Sequence, residues 1–175
     1  MGNRQNTSQE EIQGWFAGRV PADWFTGAPE VTVDRDEILV VGTLSEPDAG
    51  ADATDDTKAA ALASRIEGFR EDTRGHRMRI ADEAQSRFGR TVSWGAQAGD
   101  RRVLFTTLAV PAMTRLRMPE RKVLDTLVDS GVARSRSHAL AWCVRLVAER
   151  QEDWLKDLRE ALTHVEKVRE KGPTD

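Results

Sequence analysis

The sequence has a single cysteine, Cys143, among its 175 residues. An internal disulfide is therefore excluded, and a lone thiol suits a reducing cytoplasm. There is no stretch of 18 apolar residues, which is the length that a membrane-spanning helix requires. The N-terminal segment MGNRQNTSQEE also lacks the apolar core of a secretory signal. These absences predict a cytoplasmic protein with no membrane partner.

Residue patterns that carry catalytic or metal chemistry are also scarce. The three histidines, His76, His138 and His164, are far apart in sequence and have no paired cysteine, so none has metal-ligand spacing. No glycine-rich phosphate loop follows a predicted strand, and no serine or cysteine lies in a nucleophile elbow. We therefore predict a protein that is not an enzyme and has no catalytic residue, metal or cofactor.

Lysine is rare, and most of the 26 basic residues are arginine, which indicates a bacterium with a GC-rich genome. The net charge of −3 is unevenly distributed along the chain. Residues 1–56 carry a balance of −9, residues 57–112 and 113–150 carry +4 each, and residues 151–175 carry −2. Because the middle of the chain is basic, the acidic total does not exclude nucleic acid as a partner.

Residues 1–9 are polar and predict a disordered leader. In residues 30–44, valines alternate with polar residues, a three-residue turn follows, and an apolar run completes a β-hairpin. The next segment, SEPDAGADATDD at 45–56, contains five acids and no large apolar side chain. It predicts a solvated acidic loop.

Apolar residues recur at helical spacing across residues 57–89, which predicts one long helix ending at Gly89. Residues 91–97 and 101–108 then predict a second hairpin. Residues 10–110 should therefore form an α+β module built as hairpin, helix and hairpin around an antiparallel sheet.

Two features of this module allow more than one interpretation. The pairs Trp15-Phe16 and Trp24-Phe25 could anchor a partner protein, although such aromatics more often fill a core. A stripe of arginines at helical spacing could contact DNA phosphates, although a solvated face paired with Glu67, Glu71 and Asp72 is the favoured interpretation. The stripe consists of Arg70, Arg74 and Arg77.

The pattern changes after residue 111. Residues 113–118 alternate arginine with larger apolar residues, which predicts a short strand. Pro119 suits the first turn of a helix ending near Gly131, and Ser135 suits the N-cap of a helix that runs to Arg150. A last amphipathic helix is predicted over 152–170.

The sequences TRLRMPE at 114–120 and SRSHALAWCVRLV at 135–147, with the turn at Gly131 between them, resemble the ribbon-helix-helix family of DNA-binding proteins. His138 stands where that family usually has an acid. The resemblance implies that residues 111–172 form a ribbon-helix-helix-like domain with one extra C-terminal helix. It also implies a homodimer whose two strands pair as an antiparallel ribbon and bind double-stranded DNA.

Physical reasoning about the strand agrees with this resemblance. A six-residue strand cannot bury its apolar face alone, whereas a ribbon of two such strands fits the major groove with its arginines outward. The predicted base contacts are Met113, Arg115 and Arg117. The predicted phosphate contacts, at the start of the second helix, are Arg134, Ser135, Arg136 and Ser137. The predicted dimer core comprises Leu116, Met118, Leu124, Leu127, Leu140, Cys143, Val144 and Val147.

The resulting hypothesis is a bacterial transcriptional regulator or nucleoid-associated protein, with a protein partner or small-molecule effector at the N-terminal module. Three alternatives remain open. The 113–118 strand could pair with residues 101–108 of the same chain and leave its arginines in water. The same region could only dimerise, within a non-enzymatic scaffold or protein-interaction module. The sheet and basic helix could instead bind RNA.

Overall fold

The computed structural model describes residues 9–171, so the predicted leader, apart from Gln9, lies outside the described residues. The chain divides into two compact units, Met1–Pro111 and Ala112–Asp175. Within the described residues, no helix is both long and apolar enough to cross a membrane.

The first unit combines three helices with a four-stranded sheet, which confirms the α+β class. Its elements are α1 (Gln9–Arg19), β1 (Glu30–Val33), β2 (Glu37–Thr43), α2 (Asp55–Asp72), α3 (Arg74–Phe88), β3 (Thr91–Ala98) and β4 (Arg101–Leu104). The strand order is β1-β2-β3-β4. Both predicted hairpins are present, as the antiparallel pairs β1–β2 and β3–β4.

The prediction of an antiparallel sheet was wrong for its centre, because β2 and β3 run parallel, with Ile38 opposite Val92 and Val40 opposite Trp94. The chain leaves the end of β2, passes through α2 and α3, and crosses back to the other end of the sheet. There β3 begins beside the start of β2. A connection containing helices allows parallel pairing, whereas a tight turn imposes antiparallel pairing. The sheet is therefore mixed, with two hairpins joined side by side.

The single long helix predicted over 57–89 is in fact two helices that meet at Thr73. The Thr73 hydroxyl donates to the Phe69 carbonyl oxygen at 2.5 Å, and the Thr73 N–H donates to the same oxygen. A threonine hydroxyl that binds the backbone one turn earlier competes with the regular helical ladder. Gly68 and Gly75 flank this point and have low helix propensity, so the helix ends and restarts there.

The larger of two buried apolar clusters in the described part of the first unit lies between the sheet and the helices α1 and α3, and the smaller one lies between the sheet and α2. Ile12 and Phe16 of α1 are fully buried, as are Ile38 of β2 and Ile80 of α3. The tryptophan–phenylalanine pairs also belong to this region, since Phe16 is part of the core and Trp15, Trp24 and Phe25 pack against it. Their assignment as core residues is confirmed.

The second unit contains α4 (Met118–Asp129), α5 (Arg136–Arg150) and α6 (Glu152–Lys171). The turn between α4 and α5 uses Gly131 at a φ of +78°, a conformation that favours glycine. The strand predicted over 113–118 does not form within the single chain: residues 106–117 have no regular secondary structure, and Met118 begins α4. Strand geometry requires a partner, and no described segment of this chain pairs with these residues.

Candidate functional site

The segment leading into α4 separates its apolar and cationic side chains. Leu116 is half-buried and packs against the core of the second unit, whereas its neighbours Arg115 and Arg117 are exposed. The Leu116 carbonyl oxygen accepts a hydrogen bond from Arg121 at 2.8 Å, and Arg117 is an extended N-cap residue (φ −84°, ψ 175°). This alternation presents two guanidinium groups away from the core. Met113, at the start of the segment, is fully exposed.

The N-terminus of α5 is closed by a small hydrogen-bonded cap. The Ser135 hydroxyl oxygen accepts from the backbone N–H of His138 at 3.2 Å, and His138 Nδ1 accepts from the backbone N–H of Arg134 at 3.3 Å. The first-turn N–H groups of a helix have no intrahelical partner and attract anions. Arg134 and Ser137 are exposed beside this cap. The His138 imidazole therefore accepts a hydrogen bond at the cap of α5. The ribbon-helix-helix pattern usually has an acid at this position.

Arg136 has a partner within the chain. Its Nε and its Nη2 donate to the two carboxylate oxygens of Asp125 at 2.6 and 2.8 Å, which connects α5 to α4. Hydrogen bonding to Arg136 lowers the pKa of the Asp125 carboxyl, and the pair's attraction adds to this. Because this bidentate geometry occupies much of the guanidinium fork, Arg136 is less available for a phosphate than Arg134.

The residues predicted to form a dimer core fall into two groups. Leu124 is buried with Ala133 and Ala139, and the half-buried residues Leu116, Leu127, Leu140 and Cys143 pack around them. Three others are exposed in the single chain: Met118 by 60%, Val144 by 63% and Val147 by 47%. Part of the predicted set thus forms an intrachain core, and the rest forms an apolar surface.

The arginine stripe of the first unit differs from a uniformly solvated face. Arg70 pairs with Glu67 at 3.4 Å, which agrees with the favoured interpretation for that residue. Arg77 is 7% exposed, and its guanidinium lies 4.8 Å from the centre of the Phe105 ring. With its side chain buried, Arg77 is less accessible to a DNA backbone than the exposed Arg70 and Arg74. The sequence gives no sign of Phe105 as its partner, since the contact joins positions that are distant in the chain.

No group of three or more histidine, cysteine or carboxylate side chains within residues 9–171 is arranged to hold a metal ion. The candidate site consists of exposed cations beside the N-termini of α4 and α5.

Family models match both units of the chain. The model described as "Rv1265-like protein, N-terminal domain" matches residues 10–104, which is more than half of the sequence. The chain belongs to the Rv1265-like family. The model described as "Mb1296 C-terminal domain" matches residues 117–169.

Close relatives of this Rv1265-like protein occur in mycobacteria. It is 54% identical over 175 residues to "Uncharacterized protein Rv1265" of Mycobacterium tuberculosis (strain ATCC 25618 / H37Rv), a match that covers 98% of this chain and 76% of the relative. "Uncharacterized protein Mb1296" of Mycobacterium bovis matches with the same identity and coverage. No solved structure matches the chain.

Proposed function

We propose that this Rv1265-like protein is a bacterial, cytoplasmic, sequence-specific DNA-binding protein that acts as a homodimer. Residues 113–117 of two chains pair as a β-ribbon, which enters the major groove and presents Arg115 and Arg117 to base edges. The protein acts as a transcriptional regulator or organises the nucleoid. The single observation that carries this proposal is the division of the segment into half-buried Leu116 and exposed Arg115 and Arg117.

The unpaired state of residues 113–117 supports a ribbon between two chains. The segment's backbone takes no part in the sheet of the first unit, whose strands are all contained within residues 30–104. Among the described residues no strand pairs with this segment, so a second strand could be added along it, although the Leu116 carbonyl oxygen already accepts a hydrogen bond from Arg121. The alternative in which this segment pairs with residues 101–108 of its own chain is wrong. In the structure β4 pairs with β3, and none of the described strands pairs with residues 113–118.

The surface beyond the segment supplies phosphate contacts in the same proposal. Arg134 and Ser137 lie exposed at the N-terminus of α5, where helix geometry favours an anion. Contacts of this kind fix the protein's register on the duplex, while arginine side chains in the groove distinguish the bases. The net charge of +4 over residues 113–150 strengthens attraction to DNA in a chain of overall charge −3.

A selection experiment tests the proposal. The full-length protein selects duplexes from a random-sequence pool, and Kd values for the enriched and a scrambled duplex are then measured at 50 and 200 mM salt. We expect the double variant Arg115→Ala/Arg117→Ala to lose most of its preference for the enriched duplex, by at least about ten-fold, because each bidentate arginine contact contributes roughly 1–3 kcal/mol of discrimination. The salt dependence of binding should change little, since the phosphate contacts in this proposal belong to the start of α5 and not to Arg115 and Arg117.

The control is Arg145→Ala/Arg150→Ala, which removes the same charge from exposed positions of α5. It should keep the sequence preference even if its overall affinity falls. Failure of the wild-type protein to enrich any duplex would contradict the proposal and favour a scaffold. Full retention of preference by Arg115→Ala/Arg117→Ala would also contradict it.

A further inference from the structure

The first unit contains a cavity of about 520 Å³ where the end of α2 and the start of α3 approach the sheet. Small-molecule sites commonly have volumes of roughly 300–1,000 Å³. The lining combines three arginines, Arg70, Arg74 and Arg77, with the rings of Trp94 and Phe105. This mixture of cations and aromatic surface is unlike the solvated arginine stripe expected from the sequence.

Arg77 is the buried cation of this cavity. Its Nη2 donates to the Arg70 carbonyl oxygen at 2.6 Å, and its Nε donates to the Thr73 hydroxyl at 2.9 Å. Both acceptors are neutral, and among the described residues no carboxylate forms a salt bridge with Arg77. A buried charge is costly unless an opposite charge compensates it.

Neighbouring charges increase this imbalance. Burial lowers the pKa of Arg77 most, and repulsion from Arg70 and Arg74 lowers it further. Two carboxylates, Glu67 and Glu71, also line the cavity, and Glu67 pairs with Arg70 at 3.4 Å. The three guanidinium groups thus outnumber the two carboxylates, and a bound anion would offset the excess.

The rest of the lining determines what the anion is attached to. Met78, Ala81 and Val92 provide apolar surface, and the Phe105 ring lies against the Arg77 guanidinium at 4.8 Å. The indole Nε1 of Trp94 is buried, and none of the described residues provides it with a hydrogen-bond acceptor. An inorganic ion would leave the apolar surface in contact with water, whereas an organic body would cover it.

We propose that this cavity binds a small organic anion, in which a phosphate or carboxylate group is joined to an aromatic or aliphatic body. Arg74 and Arg77 hold the acidic group, and Phe105, Trp94 and Met78 contact the body. Every residue that lines this site belongs to the first unit, whereas the proposed DNA surface is formed by residues of the second unit.

Calorimetric titration of the full-length protein tests the site. The probe is phenyl phosphate, compared with benzoate, inorganic phosphate and phenol. We expect one saturable site per chain for phenyl phosphate or benzoate, and the better of the two identifies the acidic group. That probe should bind at least about ten-fold more tightly than inorganic phosphate or phenol, because only a joined molecule uses both parts of the lining.

The test variant is Arg74→Gln, because Arg74 is exposed at the cavity and its loss should leave the fold intact. We expect about ten-fold weaker binding, which corresponds to the loss of one charge-assisted hydrogen bond. The matched control, Arg79→Gln, removes the same charge from an exposed position of α3 outside the lining, and should change binding less than two-fold. The proposal is overturned if neither phenyl phosphate nor benzoate binds saturably, if the two variants weaken binding equally, or if inorganic phosphate binds as tightly as both organic probes.

Discussion

Gly42 in β2 lies directly under the ring of Phe25, so a β-carbon at this position would overlap the aromatic ring. We expect Gly42→Ala to destabilise the first unit by roughly 1–3 kcal/mol, the usual cost of overpacking a well-packed core. Chemical denaturation followed by tryptophan fluorescence measures this, because Trp24 and Trp94 lie in the same core.

Gly68→Ala is the matched control for that substitution. Gly68 lies within α2, and a β-carbon there would meet nothing within 4 Å. The same added methyl group should therefore stabilise the protein by up to about 1 kcal/mol through helix propensity. If both substitutions shift the free energy of unfolding in the same direction, the close contact between Phe25 and Gly42 does not explain the effect of Gly42→Ala on stability.

The ion pair between Asp125 and Arg136 predicts a pH-dependent contribution to stability. Because the pair lowers the pKa of Asp125 in the folded state, its contribution is present above the unfolded pKa of about 4 and is lost as the pH falls through the folded value. We expect Asp125→Asn to lower Tm at pH 7, and the difference from wild type to shrink steadily on acidification. Both partners are exposed, so the effect should be small.

Thermal unfolding at several pH values between 7 and 3 measures this difference. The control is Asp129→Asn, which removes an exposed carboxylate from the same helix. A Tm difference for Asp125→Asn that stays constant across this range would contradict a role for the ionised carboxylate.

At the scale of helices, α5 presents an apolar surface that the single chain leaves uncovered. Val144 is 63% exposed and Val147 is 47% exposed, while the buried core among the described residues of the second unit consists of Leu124, Ala133 and Ala139. A core this small provides little hydrophobic stabilisation, and small domains often obtain more by oligomerising. A second copy of the chain would cover the two valines.

We expect Val144→Glu to dissociate the proposed homodimer, because it would bury an unpaired carboxylate at the interface. Sedimentation velocity should show the mass of a single chain for the variant and twice that mass for the wild type. The control Arg145→Glu, at the neighbouring exposed position, should remain dimeric. A wild-type protein that sediments as a monomer at micromolar concentration would contradict the dimer, and with it the ribbon.

Some helices, strands and turns of this protein could be predicted from the sequence, and others could not. Short-range signals were sufficient for both hairpins, for the Gly131 turn and for the Ser135 cap, because each depends on residues close together in the chain. The parallel pairing of β2 with β3 depends on the path of a long connection, which local patterns do not specify. The break at Thr73 depends on one side-chain hydrogen bond that competes with helical periodicity.

The features of the candidate sites also divide into those that depend on neighbouring residues, which could be predicted, and those that depend on distant contacts, which could not. The alternation of Arg115, Leu116 and Arg117 is local, so their separation into exposed and half-buried side chains could be predicted. The burial of Arg77 could not, because Phe105 reaches it from a distant part of the chain. The pairing of Arg136 with Asp125 likewise depends on how α4 and α5 pack.

For the whole molecule, the division at Pro111–Ala112 predicts two units that fold independently. The connecting residues are exposed and have no regular secondary structure, and Leu108 and Val110 are 38% and 52% exposed. Such segments are preferred sites of proteolysis. We therefore expect thermolysin, which cuts before large apolar residues, to cleave first at Leu108 or Val110. Mass spectrometry of the early fragments identifies the cleaved bond.

The separated fragments then test the proposals for the two units independently. The N-terminal fragment should keep a cooperative unfolding transition and the organic-anion site. All strands of its sheet and all residues that line the cavity precede residue 108. The C-terminal fragment should keep its helicity, dimerise and select the same duplex as the full chain. If the C-terminal fragment dimerises but does not bind DNA, the region is only a dimerisation module and the ribbon does not read DNA. If early cleavage falls within α2 or α5 instead, the two units do not fold independently.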